Sequence, residues 1–110
     1  MTTYDAVLTA LADPTRRSIL ESLRDVPRTV GELAADQPVS RPAVSQHLKV
    51  LEHAHLVRVE PRGSRRLYSV RREGLDELRR YLESFWADVL GAYKAEILRR
   101  SKDDPKGRKK

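Results

Sequence analysis

Cysteine is absent from the 110-residue sequence, and its absence excludes disulfide bonds, thiolate metal sites and cysteine nucleophiles. No apolar run approaches the roughly 20 residues of a membrane helix, and nothing near Met1 resembles a secretory signal. We therefore expect a cytoplasmic protein without a membrane partner. Catalytic features are also missing, because no nucleophile stands beside a base and no glycine-rich phosphate loop is present. An enzyme is the weakest functional hypothesis, and no cofactor is expected.

Positive charge is abundant and unevenly placed. The net charge is +6, with +5 in residues 58–72, +5 in residues 99–110 and −4 in the remaining 83 residues. A near-neutral body with two basic segments favours a polyanionic partner that binds to particular faces. The alternative for both segments is a solvated surface that only improves solubility.

The first half of the sequence predicts a series of short helices. Apolar residues at helical spacing favour a helix over about residues 3–12. Asp13-Pro14 ends this helix and caps the next one, which should end near residues 25–27. The stretch TVGE at 29–32 fits the capping box of a short third helix.

The third helix and the one after it predict a helix-turn-helix. Pro38 interrupts the third helix, because proline cannot continue the hydrogen-bond ladder. Ser40 can cap a fourth helix that carries Pro42 in its permissive first turn. Two helices that meet across so short a turn have the helix-turn-helix arrangement. We call the helix at 40–54 the recognition helix.

The second half of the sequence predicts a β-hairpin and a long helix. LVRVE at 56–60 and RLYSV at 66–70 alternate like strands around a turn at Gly63, and such a hairpin after a helix-turn-helix is called a wing, here residues 57–70. Apolar residues at three- and four-residue steps predict a helix over about 74–98, and residues 99–110 have the composition of a basic disordered tail. The fold class is therefore mainly α with a small β-hairpin, a winged helix-turn-helix over residues 1–98.

The outward face of the recognition helix suits the major groove of DNA. At about 100° per residue, Val44, Leu48 and Leu51 share the core side, and short polar residues lie opposite. Gln46 could read adenine through a bidentate amide contact, and Arg41 could read guanine or hold a phosphate. The predicted DNA contacts of this helix are Ser40, Arg41, Pro42, Ser45, Gln46 and Lys49.

The tip of the wing carries further DNA contacts, namely Arg62, Ser64, Arg65 and Arg66. Hairpin tips are exposed, so these guanidinium groups can reach phosphates or a narrow minor groove. Tyr68 alternates in phase with Arg66, and two roles stay open for it: packing beside Arg66 or touching a phosphate.

The histidines do not predict a metal site. His47 projects about 60° from the apolar centre of the recognition helix, so we expect it to be half-buried and hydrogen-bonded rather than to contact a base. His53 and His55 are two residues apart and point to opposite sides of a helix, whereas a zinc pair needs three- or four-residue spacing.

Two apolar stripes, in the first and last helices, predict core or dimer packing. Phe85 and Trp86 would each bury about 150–250 Å² at a helix–helix seam, which could hold two chains together without a cofactor. If an organic inducer exists, it would bind near these two residues. The predicted dimer interface comprises Tyr4, Val7, Leu8, Leu11, Leu78, Leu82, Phe85, Trp86, Val89 and Tyr93.

The order of these motifs resembles the ArsR-type (ArsR/SmtB) winged helix-turn-helix repressors of bacteria. ALADPTRRSILESL, TVGELA, PVSRPAVSQHLKVLEHAHLV and GSRRLYSV carry the resemblance, which covers about residues 4–95. The resemblance implies a homodimer built from the first and last helices, which grips a palindromic operator in double-stranded DNA. It also implies transcriptional repression, often of the regulator's own operon, and a bacterial protein that lies at the nucleoid when bound to DNA.

The sequence departs from the family at the positions that sense metals. Many members carry a Cys-x-Cys pair where this sequence reads ELAAD, and Ala34 and Ala35 cannot ligate a metal. Others use Asp and His ligands on the last helix, which has no histidine here. The resemblance is therefore to the subgroup without the familiar metal-sensing sites, and any small-molecule inducer is unknown. Two rival readings remain, a winged-helix protein-interaction module and a nonspecific chromatin-like DNA binder.

Overall fold

The structure, a computed structural model, describes residues 3–103 in five helices and one hairpin. The elements are α1 (Thr3–Leu11), α2 (Pro14–Ser22), α3 (Val30–Ala35), α4 (Arg41–His53), β1 (Val57–Arg62), β2 (Arg65–Val70) and α5 (Arg72–Asp103). The chain divides into a body up to Leu78 and a C-terminal segment from Arg79. No helix in the described part of the chain is long and apolar enough to cross a membrane. The predicted class, mainly α with a small hairpin, is confirmed.

Side-chain caps start three of the helices at the residues that the sequence predicts. Asp13 accepts hydrogen bonds from the amides of Thr15 and Arg16, at 2.8 and 3.2 Å. Thr29 and Glu32 form the predicted capping box, in which each side chain accepts from the backbone amide of the other residue. Ser40 accepts from the amide of Ala43. Each cap satisfies amides that the first helical turn leaves without a partner.

One apolar core lies between α1, α2, α3, α4 and the base of the hairpin. Its largest fully buried side chains are Ile19, Leu33, Leu48, Leu51, Leu56, Val7, Val44 and Val57. The core side of α4 predicted by helical periodicity is confirmed, because Val44, Leu48 and Leu51 are each at most 1% exposed. This packing fixes which face of α4 remains outside.

A left-handed corner ends α4. His55 has a φ of 60°, and the amides of Leu56 and His55 donate to the carbonyls of Leu51 and Glu52 at 3.0 and 3.1 Å. These two bonds form a Schellman motif, which satisfies carbonyls at the end of a helix. The motif turns the chain sharply from α4 into the wing.

The first turn of α5 packs directly on this corner. The amide of Gly74 donates to the carbonyl of His55 at 2.8 Å. A Cβ atom on Gly74 would lie 2.5 Å from the carbonyl oxygen of Ala54, so only glycine permits the approach. The end of α4 and the start of α5 are thus fixed to each other.

The wing is an antiparallel hairpin with regular register from Val57 opposite Val70 to Arg62 opposite Arg65. Gly63 takes a φ of 64° at the first of the two turn residues, where a type II′ turn requires glycine. On the far edge of β2, Arg28 exchanges two backbone hydrogen bonds with Tyr68, at 2.9 and 2.8 Å. This bridge ties the hairpin to the segment that leads into α3.

Helix boundaries differ from the predictions at three places. α2 ends at Ser22 rather than near residues 25–27, with Leu23 as its C-cap, and the side chain of Leu23 is buried in the core. α5 begins at Arg72 and continues to Asp103, so residues 99–103 are helical and the prediction of disorder is wrong there. Arg99 and Arg100 both bond to Glu96, and such pairs support an added helical turn. Residues 104–110 of the predicted tail lie outside the described residues.

Candidate nucleic-acid interface

The outer face of α4 presents the residues that periodicity predicts. Pro42, Gln46, Lys49 and His53 are exposed, and Ser45 on the flank is half-buried. Within α4 the only acid is Glu52, near the C-terminal end. The first three turns therefore offer amide, hydroxyl and ammonium groups to a ligand without a nearby repelling carboxylate. This composition suits a phosphate-lined groove with base edges at its floor.

Arg41 starts α4 and lies against the preceding helix of the helix-turn-helix. A Cβ atom at Gly31 of α3 would come within 2.7 Å of Nη2 of Arg41, so glycine leaves the space that the guanidinium occupies. The side chain of Arg41 is exposed, so it is accessible to a ligand at the first turn of α4. The sequence placed Arg41 at the exposed first turn but gave no sign of its contact with Gly31.

Two contacts hold the turn of the helix-turn-helix against the body. Nε2 of Gln37 donates to Oγ of Ser18 on α2 at 3.1 Å, and Val39 packs against the core. Both contacts keep the segment between α3 and α4 on the body. Ser40, at its end, is exposed, so its hydroxyl caps α4 and remains accessible.

The four predicted contacts at the wing tip are all exposed. Arg62 lies directly opposite Arg65 across the hairpin, and Ser64 lies in the turn between them. Each of these two arginines has an acidic partner at 3.8 Å: Glu60 for Arg62 and Glu32 for Arg65. Arg66 forms no ion pair within residues 3–103.

Tyr68 belongs to the core rather than to the DNA face. Its side chain is 9% exposed, and the hairpin register places Pro61 opposite Arg66 and Val59 opposite Tyr68 on one face of the sheet. That face meets the body at the base of the hairpin and solvent at its tip, so Arg66 is exposed while Tyr68 is covered. The predicted option of a phosphate contact for Tyr68 is wrong.

His47 confirms the prediction of a half-buried, hydrogen-bonded histidine. Its Nδ1 atom lies 3.4 Å from Nη1 of Arg16 on α2. Because arginine has only donors, Nδ1 acts as the acceptor in this contact. His47 is therefore directed at the body of the protein rather than at the outer face of α4.

Arg16 is a positioning residue that the sequence did not reveal. Besides His47, its guanidinium donates to the carbonyls of Ala10 and Thr9, at 2.6 and 3.3 Å, and lies 3.9 Å from Asp13. It thereby connects the end of α1, the start of α2 and the recognition helix. The three-residue spacing of Asp13 and Arg16 was the one local signal for this cluster.

Two cap carboxylates near the interface have shifted pKa values. The amide hydrogen bond from Arg16 is the main reason that the pKa of Asp13 is lowered from 3.8. For Glu32 the amide hydrogen bond from Thr29 has the main effect, and the charge of Arg65 adds to it, so its pKa is lowered from 4.5. Glu32 therefore carries its negative charge beside the wing across the physiological range.

No group of three or more potential ligands for a metal ion occurs in the region from Thr3 to Asp103. His55 is held in the left-handed corner after α4, and His53 lies on the last turn of α4. Both are exposed.

The predicted dimer residues of α1 and of the start of α5 differ in their exposure. Leu8 is 43% exposed and Tyr4 and Leu11 are half-buried, whereas Val7 is fully buried in the core of the chain itself. Leu78 packs partly against the same core. That these residues contact a second chain stays a prediction. Val7 and Leu78 pack in or against the core of their own chain, so their part in such an interface is to hold the exposed residues in place.

The C-terminal segment carries a row of exposed apolar side chains. Leu82, Phe85, Trp86 and Tyr93, all predicted for the dimer interface, are 50–67% exposed, and Val89 is half-buried. Tyr81 stacks on Phe85 with ring centroids 6.5 Å apart. Leu90 and Ile97, which were not named for the interface, continue the same row, and Leu98 is exposed as well.

A helix-turn-helix followed by a two-stranded wing defines the winged-helix class of DNA-binding proteins. Within that class, the sequence profile described as "Bacterial regulatory protein, arsR family" matches residues 13–59. The HTH-type transcriptional regulator Rv2034 of Mycobacterium tuberculosis is 51% identical over 107 residues, which cover 94% of this chain and 99% of that protein. The chain belongs to the ArsR family of DNA-binding transcriptional regulators, and the functional class expected from the resemblance is confirmed.

Two further relatives bear on the assembly and the mode of regulation. The transcriptional repressor SdpR of Bacillus subtilis is 36% identical over 64 residues, which cover 58% of this chain and 71% of that protein. The homodimeric winged helix-turn-helix DNA-binding domain Mb0332 of Mycobacterium bovis, solved by NMR, has a TM-score of 0.60 and 26% identity, and covers 78% of this chain and 79% of that one.

Proposed function

We propose that the protein is a homodimeric repressor that binds an inverted-repeat operator, with α4 in the major groove and the wing on the flanking backbone. The observation that carries this proposal is the outer face of α4. It is polar and free of acids through its first three turns, and the opposite face is anchored by Val44, Leu48 and Leu51. A face held so firmly can make contacts with a fixed register on base edges.

The contacts divide into readout and positioning. Gln46 points outward from the middle of α4 and suits the N6 and N7 atoms of adenine. Arg41 reaches guanine or a phosphate from the first turn, and Lys49 holds phosphate as a point charge. Ser40 and Ser45 donate hydroxyls to phosphate oxygens beside the N-terminal end of α4.

The wing supplies charge without sequence information. Arg62, Ser64, Arg65 and Arg66 lie together at an exposed tip. Guanidinium groups on phosphates bind all sequences alike, and they make the affinity fall steeply with salt. The wing therefore sets the overall affinity, and α4 sets the preference between sites.

The exposed apolar row of the C-terminal segment supports a dimer. Phe85, Trp86 and Tyr93 are 56, 60 and 67% exposed, and an exposed apolar patch of this kind favours an association surface. A second copy of the chain, with Tyr4, Leu8 and Leu11 contributing from α1, is the occupant we propose, and the homodimeric relative Mb0332 supports it. Two-fold symmetry then places the two recognition helices about 34–36 Å apart, or a multiple of that distance.

Repression is the regulatory direction that we propose, because the relative SdpR is a repressor. A dimer bound to an inverted repeat in a promoter blocks the transcription machinery from that promoter. It needs no catalytic activity to do so. The region upstream of the protein's own gene is the first place to look for such a repeat. No metal or cofactor is needed for this mechanism.

The direct test is a titration of the purified protein with the fragment upstream of its own start codon and with a random fragment of equal length, over a series of salt concentrations. We expect a preference for the upstream fragment or for another fragment recovered by genome-wide capture, and a dimer on the DNA. A protein that stays monomeric and shows no DNA binding at low salt would contradict the proposal.

A nonspecific DNA-binding role is the second candidate, because the basic segment at 99–110 carries a charge of +5. Deleting residues 101–110 separates the two functions. A specific repressor retains its preference for the operator over random DNA after the deletion, whereas a nonspecific binder loses most of its affinity and shows no preference before or after it.

A further inference from the structure

Two of the three arginines at the wing tip are already paired in the free chain. Nη2 of Arg65 lies 3.8 Å from Oε2 of Glu32, and Nη2 of Arg62 lies 3.8 Å from Oε2 of Glu60. Arg66 is next to Arg65 in sequence and forms no ion pair in the described part of the chain. The wing tip therefore contains two arginines with an acidic partner and one without.

These pairs are too exposed to hold the fold together. The side chains are 62 and 50% exposed for Arg65 and Glu32, and 63 and 60% exposed for Arg62 and Glu60. Exposed pairs of this geometry contribute little to stability, since water screens the charges and two long side chains must be ordered. Their effect is instead on what else can bind to the arginines.

We propose that Glu32 and Glu60 limit the affinity of the wing for DNA by competing with phosphate for Arg65 and Arg62. The proposal rests on the wing–phosphate contact put forward above. When DNA arrives, each arginine exchanges a carboxylate for a phosphate, and the released carboxylate stays close to the negative backbone. The gain from each contact is therefore smaller than that of an unpaired arginine such as Arg66.

The competition also lowers the salt dependence of binding. A phosphate neutralised by an arginine releases its condensed cation, which is the source of the salt effect. A carboxylate that has lost its arginine attracts a cation in return, so part of the release is cancelled. Removing the carboxylate charge should restore the full contribution of that arginine to the salt slope.

The capping box makes Glu32 unusually suitable for a test. Its Oε1 atom accepts from the amide of Thr29 at 2.8 Å, while Oε2 faces Arg65. Glutamine also forms capping boxes at this position, so Glu32→Gln keeps the cap and removes the charge. Glu60→Gln makes the same change on a strand, where no cap is involved.

The experiment is a double-mutant cycle between Glu32→Gln and Arg65→Ala, read as Kd for the operator and for random DNA at several salt concentrations. We expect Glu32→Gln to bind both DNAs about two- to fivefold more tightly and to steepen the salt slope by up to about 0.9. The gain should vanish when Arg65→Ala is also present and persist in the control background Arg66→Ala. The pair Glu60→Gln and Arg62→Ala should repeat this pattern, and thermal unfolding checks that every variant is folded.

Three outcomes would overturn the inference. They are an unchanged Kd in both glutamine variants, an unchanged salt slope, or a gain that survives Arg65→Ala, since general charge and not this pair would then be responsible. Failure of the proposed function would look different from all three outcomes. In that case the unsubstituted protein and Arg65→Ala would both bind DNA poorly and with the same Kd. A folded Glu60→Gln variant keeps the test decisive if Glu32→Gln unfolds.

Discussion

Arg16 influences the recognition helix although it is not part of the outward face. Its guanidinium is 17% exposed and donates to the carbonyls of Ala10 and Thr9 as well as to His47. The guanidinium presents its donors in a rigid, planar fork that spans acceptors on different sides, whereas the three donors of lysine sit on one compact ammonium group. At this scale one side chain connects α1, α2 and α4.

We expect Arg16→Lys to lower the free energy of unfolding by about 1–3 kcal/mol, because charge-assisted hydrogen bonds to partly buried carbonyls are lost. Urea unfolding measures the change. The matched control is Arg17→Lys, since Arg17 is exposed and donates to the carbonyl of Leu11, and its effect should stay within about 0.5 kcal/mol. Equal losses for the two variants would argue against the positioning role of Arg16.

Gln46 provides the residue-scale test of base reading. Gln46→Ala should weaken binding to the operator by about 1–3 kcal/mol and leave binding to random DNA unchanged, because only the base contact is removed. Arg66→Ala is the contrast: it should weaken both complexes alike and reduce the salt slope by about 0.9. Fluorescence anisotropy with both DNAs measures the effects. A uniform loss for Gln46→Ala would rule out the assignment.

Asp13 makes stability depend on pH in the acid range. Its pKa is lowered from 3.8 mainly by the amide hydrogen bond from Arg16, so the ionised cap stabilises the fold above the unfolded-state value. That contribution is lost as the pH falls through the lower folded-state pKa. Asp13→Asn keeps a capping acceptor that does not titrate.

The expected result is a stability difference between the native protein and Asp13→Asn that is constant from neutral pH down to about pH 5 and shifts in favour of the variant towards about pH 2. Urea unfolding along a pH series measures it. A difference that stays constant over the whole range would show that the carboxylate form of the cap carries no extra stability.

At the scale of elements, the corner between α4 and α5 depends on one glycine. A Cβ atom at Gly74 would lie 2.5 Å from the carbonyl oxygen of Ala54, whereas nothing lies within 4 Å of one at Gly91. Gly74→Ala should therefore cost about 1–3 kcal/mol of unfolding free energy. Gly91→Ala in the middle of the same helix should raise the free energy of unfolding by about 0.5–1 kcal/mol. Thermal and urea unfolding measure both variants. A change in stability of the same sign in the two variants would contradict the close packing at Gly74.

Local chemistry explains which elements the sequence predicts well. The caps at Asp13, Thr29 and Ser40 each depend on residues within three positions, so the sequence alone locates them. The core side of α4 follows from helical periodicity in the same way. Arg16 and Gly74 escaped prediction because each contacts a residue far along the chain. His47 is 31 positions from Arg16, and His55 is 19 positions from Gly74. Tyr68 was ambiguous because one face of the hairpin meets solvent at the tip and the body at the base.

For the whole molecule, the exposed apolar row of the C-terminal segment predicts that function needs two chains. Trp86→Glu places a charge in the row and should convert the protein to a monomer, with a loss of operator affinity of at least tenfold, because each half-site then binds alone. Analytical ultracentrifugation and anisotropy measure the two effects. Ser84→Glu, on the opposite side of α5 by helical periodicity, should remain dimeric. A dimeric Trp86→Glu variant would contradict the proposed interface.

The helices of the body are 6 to 13 residues long, and isolated helices shorter than about 12–15 residues are barely stable in water. α4 is therefore helical because the rest of the body surrounds it, and a peptide with residues 40–54 would be largely unfolded. DNA readout is then inseparable from folding, so modest heating or a single cavity in the core should derepress the controlled genes as effectively as the loss of a base contact.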